Sequence, residues 1–334
     1  MNEKIYKYKA MVVRQIDNNE FTKQIEQLST NDLPIGEVLI RVHYSSLNYK
    51  DALSCSGNRG VTRHYPHTPG IDAAGVVEHS VSDDFKQGDS VVVISNDLGE
   101  NTSGGFGQFI SVPASWIMPL PKGMSLRESM IYGTAGFTAA LAVNKLQSLG
   151  VSPESGKIVV TGASGGVGSI SVALLSWLGY SVTASSGKKD VDIFLKSLGA
   201  LEVVDRKAVC NKSGMTLLKQ EWAGAIDSVG GNTLASLLKS CKQNGVVISI
   251  GLVESAELHT TIFPFIMRGI NLLGVSASQT TMNNRKKIWE KLANEWKPNN
   301  LDELVKDCSL DSLSAEIDSI YNGNQKGRIV VDMR

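Results

Sequence analysis

No apolar run in this 334-residue chain approaches the ~18 residues needed to span a bilayer as a helix. Cysteine is scarce. Cys55, Cys210, Cys241 and Cys308 are the four present, they lie far apart, and none forms a Cys-x-x-Cys pair. That spacing excludes a disulfide scaffold and a clustered zinc site, and it suits thiols in a reducing cytoplasm. Neither sign of charge is in excess: 33 basic and 33 acidic side chains cancel. A protein relying on a broad basic field to hold nucleic acid or an anionic membrane is thereby excluded. The opening segment, Met1 to Lys7, is too charged to be read as a signal peptide. There is no internal repeat and no low-complexity tract.

What is present points to an ordinary globular protein, with 42% apolar and 20% charged residues, long enough for about two domains. Up to about residue 130 the chain reads as short β-branched runs, such as Val38 to Tyr44, Gly75 to Glu78 and Ser90 to Ile94, bounded by glycine, proline or aspartate. A partly open barrel is the expected product. The style then changes. Strands at Lys157–Thr161, Ser181–Ser185, Glu202–Asp205, Ala225–Ser228, Val246–Ile250 and Asn271–Val275 alternate with helical stretches, among them Val167–Leu178 and Asp190–Leu198. This alternation predicts βαβ units and a parallel sheet. After a helix at Arg285–Trp296, a last strand is expected at Arg328–Val331. The expected architecture is α/β: a discontinuous β domain flanking an inserted doubly wound domain.

The most informative segment is Thr161-Gly162-Ala163-Ser164-Gly165-Gly166-Val167-Gly168, between a predicted strand and a predicted helix. It fits the dinucleotide fingerprint with Ala163 in the first glycine slot and Gly165 and Gly168 in the others. Gly165 would admit the pyrophosphate close to the backbone, and Gly168 would let the helix pack on the strand. The helix N-terminus offers N–H groups and partial positive charge to phosphate. Ser164, Gly165, Gly166 and Val167 are the candidate pyrophosphate residues. The same letters also fit Gly-x-Ser-x-Gly, a nucleophile elbow, with Asp227 and His259 following in triad order. A serine hydrolase using Ser164 is therefore the distant alternative, although such an elbow needs several strands before it. A nucleotide-binding protein without turnover is a third reading.

Cofactor choice rests on the end of the second strand, where an NAD enzyme usually carries an acid for the ribose 2′-hydroxyl. Here stand Ser185-Ser186-Gly187-Lys188-Lys189, with no carboxylate before Asp190. Hydroxyls and a lysine suit a 2′-phosphate. NADP(H) is expected, held there by Ser186, Gly187, Lys188 and Arg206.

Together with this turn, Ser45-Ser46-Leu47-Asn48-Tyr49-Lys50-Asp51, Pro69 to Gly75, Gly133 to Ala139 and Phe263 to Gly269 resemble the medium-chain dehydrogenase/reductase superfamily over nearly the whole chain. The likeness is to its zinc-free branch of acrylyl-CoA reductase-like quinone oxidoreductases. The resemblance implies a GroES-like catalytic and substrate domain over 1–129 and 283–334, and a Rossmann NADP-binding domain over 130–282. It also implies a homodimer. Zinc-dependent relatives place a cysteine where Asn48 stands and a histidine where Ile71 stands, and neither residue here replaces those ligands. His64 and His67 form His-x-x-His without a third ligand nearby. No catalytic metal is expected.

The implied activity is NADPH-dependent reduction of an activated C=C bond, in acryloyl-CoA or a similar enoyl thioester or enone, with quinone reduction as the variant. The oxygen that gains charge needs a donor, and the α-carbon needs a proton. Tyr49 is implied beside the nicotinamide, while Asn48 and Asp51 are candidates to donate or to position. Arg63 could face a CoA phosphate or the thioester oxygen. By the same resemblance Thr134 and Thr138 line the nicotinamide, and Arg328 sits where the returning C-terminal segment approaches the cofactor. Ser228, Gly251, Leu252 and Ile266 lie at or beyond strand ends, the carboxyl edge where such sheets hold ligands.

Overall fold

The computed structural model describes residues 4–17 and 20–334. The chain divides into two compact units, one of residues 1–134 with 305–334, the other of 135–304. The first unit opens with the hairpin β1 (Lys7–Asp17) and β2 (Glu20–Ser29). It continues through β3 (Val38–Leu47), helix α1 (Tyr49–Cys55), β4 (Asp72–Ser80), β5 (Ser90–Ile94), β6 (Phe109–Val112) and β7 (Ile117–Pro119). Helix α2 (Leu126–Ser148) follows.

In the second unit come β8 (Ile158–Thr161), α3 (Gly166–Trp177), β9 (Val182–Ser186), α4 (Asp192–Ser197), β10 (Glu202–Asp205) and β11 (Trp222–Asp227). They are followed by α5 (Gly231–Ser240), β12 (Cys241–Ser249), α6 (Phe263–Arg268), β13 (Asn271–Gly274) and α7 (Met282–Ala293). The chain then returns to the first unit with β14 (Val305–Ser309), α8 (Leu313–Tyr321) and β15 (Arg328–Asp332).

In the first unit seven strands join in the order β14-β15-β3-β4-β5-β7, with β6 pairing β3. Alternation explains the packing: Val38, Ile40 and Val42 of β3 point inward with Val91 and Val93 of β5, against Phe106 and Ile110. The second unit is the predicted parallel sheet, in the order β10-β9-β8-β11-β12-β13. Its central strands are apolar on both faces, as burial between helices requires. Strand order reverses between β8 and β11, which puts a crevice beyond their carboxyl ends.

The sequence reading placed the return to the first unit at residue 283; the units divide instead at 304/305. Helix α7 stays with the parallel sheet because Ile288, Trp289 and Leu292 are buried there, with Trp289 stacked on Phe137 at 6.2 Å.

Candidate active site

Thr161 ends β8 and Asp227 ends β11, the strands on either side of the reversal. The Thr161 hydroxyl donates to Asp227 Oδ1 at 2.5 Å, and Asp227 also accepts from the N–H of Gly230 at 2.8 Å. Burial raises the Asp227 carboxyl above the usual carboxylate range, outweighing these bonds. Its role is to tie the two strand ends together.

Gly165 caps α3. A Cβ added at Gly168 would stand 2.2 Å from the Gly162 carbonyl oxygen, so close packing alone requires glycine there. A Cβ at Gly165 would meet only that same oxygen, at 3.4 Å. The protein itself leaves room at Gly165, and the N–H groups of the first turn of α3, with Gly166 and Val167, open onto it. Ser228 keeps a buried hydroxyl with no partner among the described residues, and its backbone lies against Gly251, where a Cβ would be 2.3 Å from the Ser228 carbonyl. Glycine backbone, orphan N–H groups and an unsatisfied hydroxyl suit a dinucleotide. Leu252 and Ile266 of this unit are large apolar side chains left 65% and 66% exposed, whereas Thr138 is buried.

At the end of β9 the Ser186 hydroxyl pairs with that of Ser164 at 3.0 Å and accepts the Lys188 N–H at 3.2 Å. Ser164 is buried, so its side chain fastens the glycine turn to β9 and only its backbone remains for a phosphate. Arg206, after β10, lies over Gly187: a Cβ on Gly187 would be 2.7 Å from Arg206 Cδ and 2.9 Å from Nε. Its guanidinium makes no hydrogen bond or ion pair with the described residues.

In the first unit a charged network closes around Asp72, the first residue of β4 and fully buried. Asp72 accepts from Ser46 Oγ at 2.6 Å, Asn48 Nδ2 at 2.7 Å, Thr134 Oγ1 at 2.5 Å and the Thr134 N–H at 3.0 Å. Arg328 donates to the carbonyls of Ile131 and Leu47, both at 3.0 Å, to Asn48 Oδ1 at 3.2 Å and to Ser46 Oγ at 2.8 Å. Its Nη2 lies 3.8 Å from Asp72 Oδ2. Asp51 accepts the N–H of Asn48 at 2.7 Å and of Ile71 at 2.9 Å. Burial first, and then the charge of Asp72, push its carboxyl up to about 7. Gly133 makes the enclosure possible: it breaks α2 with φ +51° and ψ −154°, and a Cβ there would be 2.4 Å from Asp72 Oδ2.

These bonds bear on three expectations. Arg328 is 1% exposed, and all three of its guanidinium nitrogens make bonds within the chain. Asn48 and Asp51 likewise bond internal partners, Asn48 as the N-cap of α1 and Asp51 three residues on in its capping box. Tyr49 differs: it opens α1, is 53% exposed, and its hydroxyl has no partner among the described residues. Arg63 is exposed too. The sequence reading missed Asp72 and Ser46 although both stood in quoted motifs, and it missed Ser95, whose hydroxyl is 3.3 Å from that of Thr134. Ser95 and Asn96 carry φ of +59° and +56°, a conformation that sequence does not announce.

Residues 34–122 match the family described as "Alcohol dehydrogenase GroES-like domain", and residues 166–294 match "Zinc-binding dehydrogenase". The acrylyl-CoA reductase AcuI of Ruegeria pomeroyi is 41% identical over 327 residues, 98% of this chain and 99% of that protein. The chain belongs to the medium-chain dehydrogenase/reductase superfamily, in its acrylyl-CoA reductase and quinone oxidoreductase branch. Within this branch, Escherichia coli K-12 YhdH, solved with bound NADPH, superposes with a TM-score of 0.93 at 40% identity, over 97% of this chain and 100% of that one. Bacillus subtilis YhfP, solved with NAD bound, gives 0.95 at 41% identity, over 98% and 99%; its name assigns it to the quinone oxidoreductases.

The family description names zinc, and the donors here do not fit it. Among the described residues no three His, Cys, Asp or Glu side chains converge. At the positions of two zinc ligands in zinc-dependent relatives stand Ile71 and Asn48, the latter accepting from a guanidinium. The hydrolase reading fails on geometry as well. Ser164 bonds Ser186, Asp227 bonds Thr161, and the exposed His259 bonds Glu257 at 2.9 Å.

Proposed function

We propose that the chain is an NADPH-dependent reductase of activated C=C bonds, with an acryloyl-CoA-like enoyl thioester as acceptor and no metal. The observation that carries the cofactor half is Arg206 lying unpaired over Gly187 at the carboxyl edge of the sheet, where β9 runs into Ser186, Gly187 and Lys188 instead of the acid usual in an NAD enzyme. The relatives carry the acceptor half. Ser186, Gly187, Lys188 and Arg206 hold the 2′-phosphate end, and the backbone of Ser164, Gly165, Gly166 and Val167 holds the pyrophosphate. Ser228, Gly251, Leu252, Ile266, Thr134 and Thr138 border the rest of the cofactor.

NADPH, when bound, would supply a hydride to the β-carbon of the acceptor; the thioester oxygen, which would gain charge, calls for a donor, and the α-carbon for a proton from a side chain or water. Tyr49 has the free O–H, and it serves as the donor beside the reacting group. Arg328 and Asp72 hold Asn48, Asn48 precedes α1, and α1 carries Tyr49; that chain of bonds fixes the donor before substrate arrives. Quinone reduction is the second reading, favoured by the likeness to YhfP. The edge of β13, paired to β12 alone, supports a homodimer. Four free cysteines support a cytoplasmic setting.

The test is the loss of NADPH absorbance with acryloyl-CoA, crotonyl-CoA and a 1,2-quinone, repeated with NADH. Turnover of acryloyl-CoA with a preference for NADPH supports the proposal. Turnover of quinone alone favours the second reading, and turnover of neither overturns both.

A further inference from the structure

The chain has ten arginines. Four of them close ion pairs with exposed or half-exposed carboxylates. Four more donate to carbonyl, carboxamide or hydroxyl oxygens. Only Arg206 and Arg63 leave the guanidinium without any partner among the described residues, and for Arg63 the choice between a CoA phosphate and the thioester oxygen is still open.

Arg63 is not a loosely tethered surface residue. Its N–H donates to Asn101 Oδ1 at 3.3 Å, and its carbonyl accepts from Arg59 Nη1 at 2.5 Å. The Arg59 guanidinium in turn lies 5.0 Å from the centroid of the Tyr65 ring. The preceding Thr62 is fully buried and pairs with Ser54 of α1 at 2.7 Å, while the Tyr65 hydroxyl donates to the Ser54 carbonyl at 2.5 Å. The backbone is thus pinned to α1 on both sides of an exposed cation that lacks a counter-charge. His64 beside it is exposed and unpartnered too. Glu100, next to Asn101, takes Lys50 Nζ at 2.9 Å. One loop therefore neutralises Lys50, the neighbour of Tyr49, while supporting Arg63, whose guanidinium has no counter-charge among the described residues.

We propose that Arg63, with His64 beside it, binds the phosphate groups of the coenzyme A carrier. The proposal rests on the thioester-reductase reading above. A guanidinium matches phosphate through paired N–H donors. Tyr49 already offers the reacting oxygen a donor on that reading, which leaves the Arg63 guanidinium to the carrier. Arg63 anchors the carrier and leaves the reacting atoms to other groups.

The test uses Arg63→Gln in the full chain with acryloyl-CoA and with acryloyl-N-acetylcysteamine, a thioester without phosphates. One lost charge-assisted contact should raise KM for acryloyl-CoA about tenfold with kcat unchanged. The phosphate-free thioester and KM for NADPH should stay within about twofold of the wild type, and Arg63→Lys should restore part of the loss. Equal losses with both thioesters, or none with either, would overturn the assignment. Titration of CoA itself in the presence of NADP⁺ separates the two readings. If wild type binds CoA and the variant does not, Arg63 keeps its role even when no thioester is reduced. If wild type does not bind CoA, the assignment falls.

Discussion

Replacing Asp51 with asparagine tests how the buried carboxylates of the first unit are held. In the folded chain the Asp51 carboxyl titrates at about 7, against 3.8 for a free side chain. Between those values the folded protein binds more protons than the unfolded chain, so stability falls as pH rises. The contribution is fully present below the unfolded value and is lost once pH passes the folded one. A gap of roughly three units at about 1.36 kcal/mol each amounts to about 4 kcal/mol. Asparagine does not titrate, and its NH₂ cannot accept from one of the two N–H groups that Asp51 serves. The variant should therefore be less stable at pH 4 by about 1–3 kcal/mol. That deficit should shrink as pH rises and vanish or reverse by pH 8. Urea midpoints of both proteins across this range measure it, and taking the difference between them cancels Asp227 and other titrating groups. A deficit that stays constant, or widens with pH, would refute the reasoning.

Four further outcomes follow from the same geometry. Gly165→Ala should keep the wild-type melting temperature within about 2 °C and weaken NADPH binding at least tenfold by titration, whereas Gly168→Ala should lose about 1–3 kcal/mol of stability through overpacking. Lys188→Glu, and more so Arg206→Glu, should raise KM for NADPH at least tenfold while KM for NADH moves less than about threefold. Gly133→Ala puts a side chain at a glycine-only backbone conformation and against Asp72, and thermal unfolding should show a loss of at least about 3 kcal/mol. Ser164→Ala should retain most NADPH turnover and label no differently with a fluorophosphonate, since the Ser164 hydroxyl faces Ser186.

Local patterns carried most of the second unit. β-branched runs such as Ile158–Thr161 stay strands in any context that buries both faces, and the glycine turn after them has a single workable partner, the helix that follows. In the first unit the hairpin β1–β2 escaped notice because Glu20–Ser29 is largely polar, and its pairing partner rather than its composition makes it a strand. The Asp72 network was illegible for a related reason. Its members come from β3, β4, the break in α2 and β15, and one contact joins residues 282 apart. Sequence shows each as an unremarkable Ser, Asn, Asp or Arg. The surroundings of Arg328 were illegible for the same cause: the kink at Gly133 and the end of β3 bring the Ile131 and Leu47 carbonyls to it from far along the chain.

The same network bears on how poorly the Asn48 position suits a metal, in a family described by zinc. Asn48 stands where the metal-dependent relatives place a cysteine, and it accepts from Arg328 while donating to Asp72. A guanidinium already supplies the positive charge at that point, so a divalent ion brought there would meet a like charge and an amide whose oxygen is taken. Arg328 cannot replace the ion as a Lewis acid either, because its donors point at Ile131, Leu47, Asn48 and Ser46. The positive charge is structural. On the proposed reading, polarisation of an acceptor falls to neutral hydroxyls such as that of Tyr49, whose pull is weaker than that of a metal. Such donors suit an acceptor whose conjugation already spreads the incoming charge, and they suit a simple alcohol or ketone poorly. On this ground the enone, the enoyl thioester and the quinone remain in one chemical class, and alcohol oxidation falls outside it.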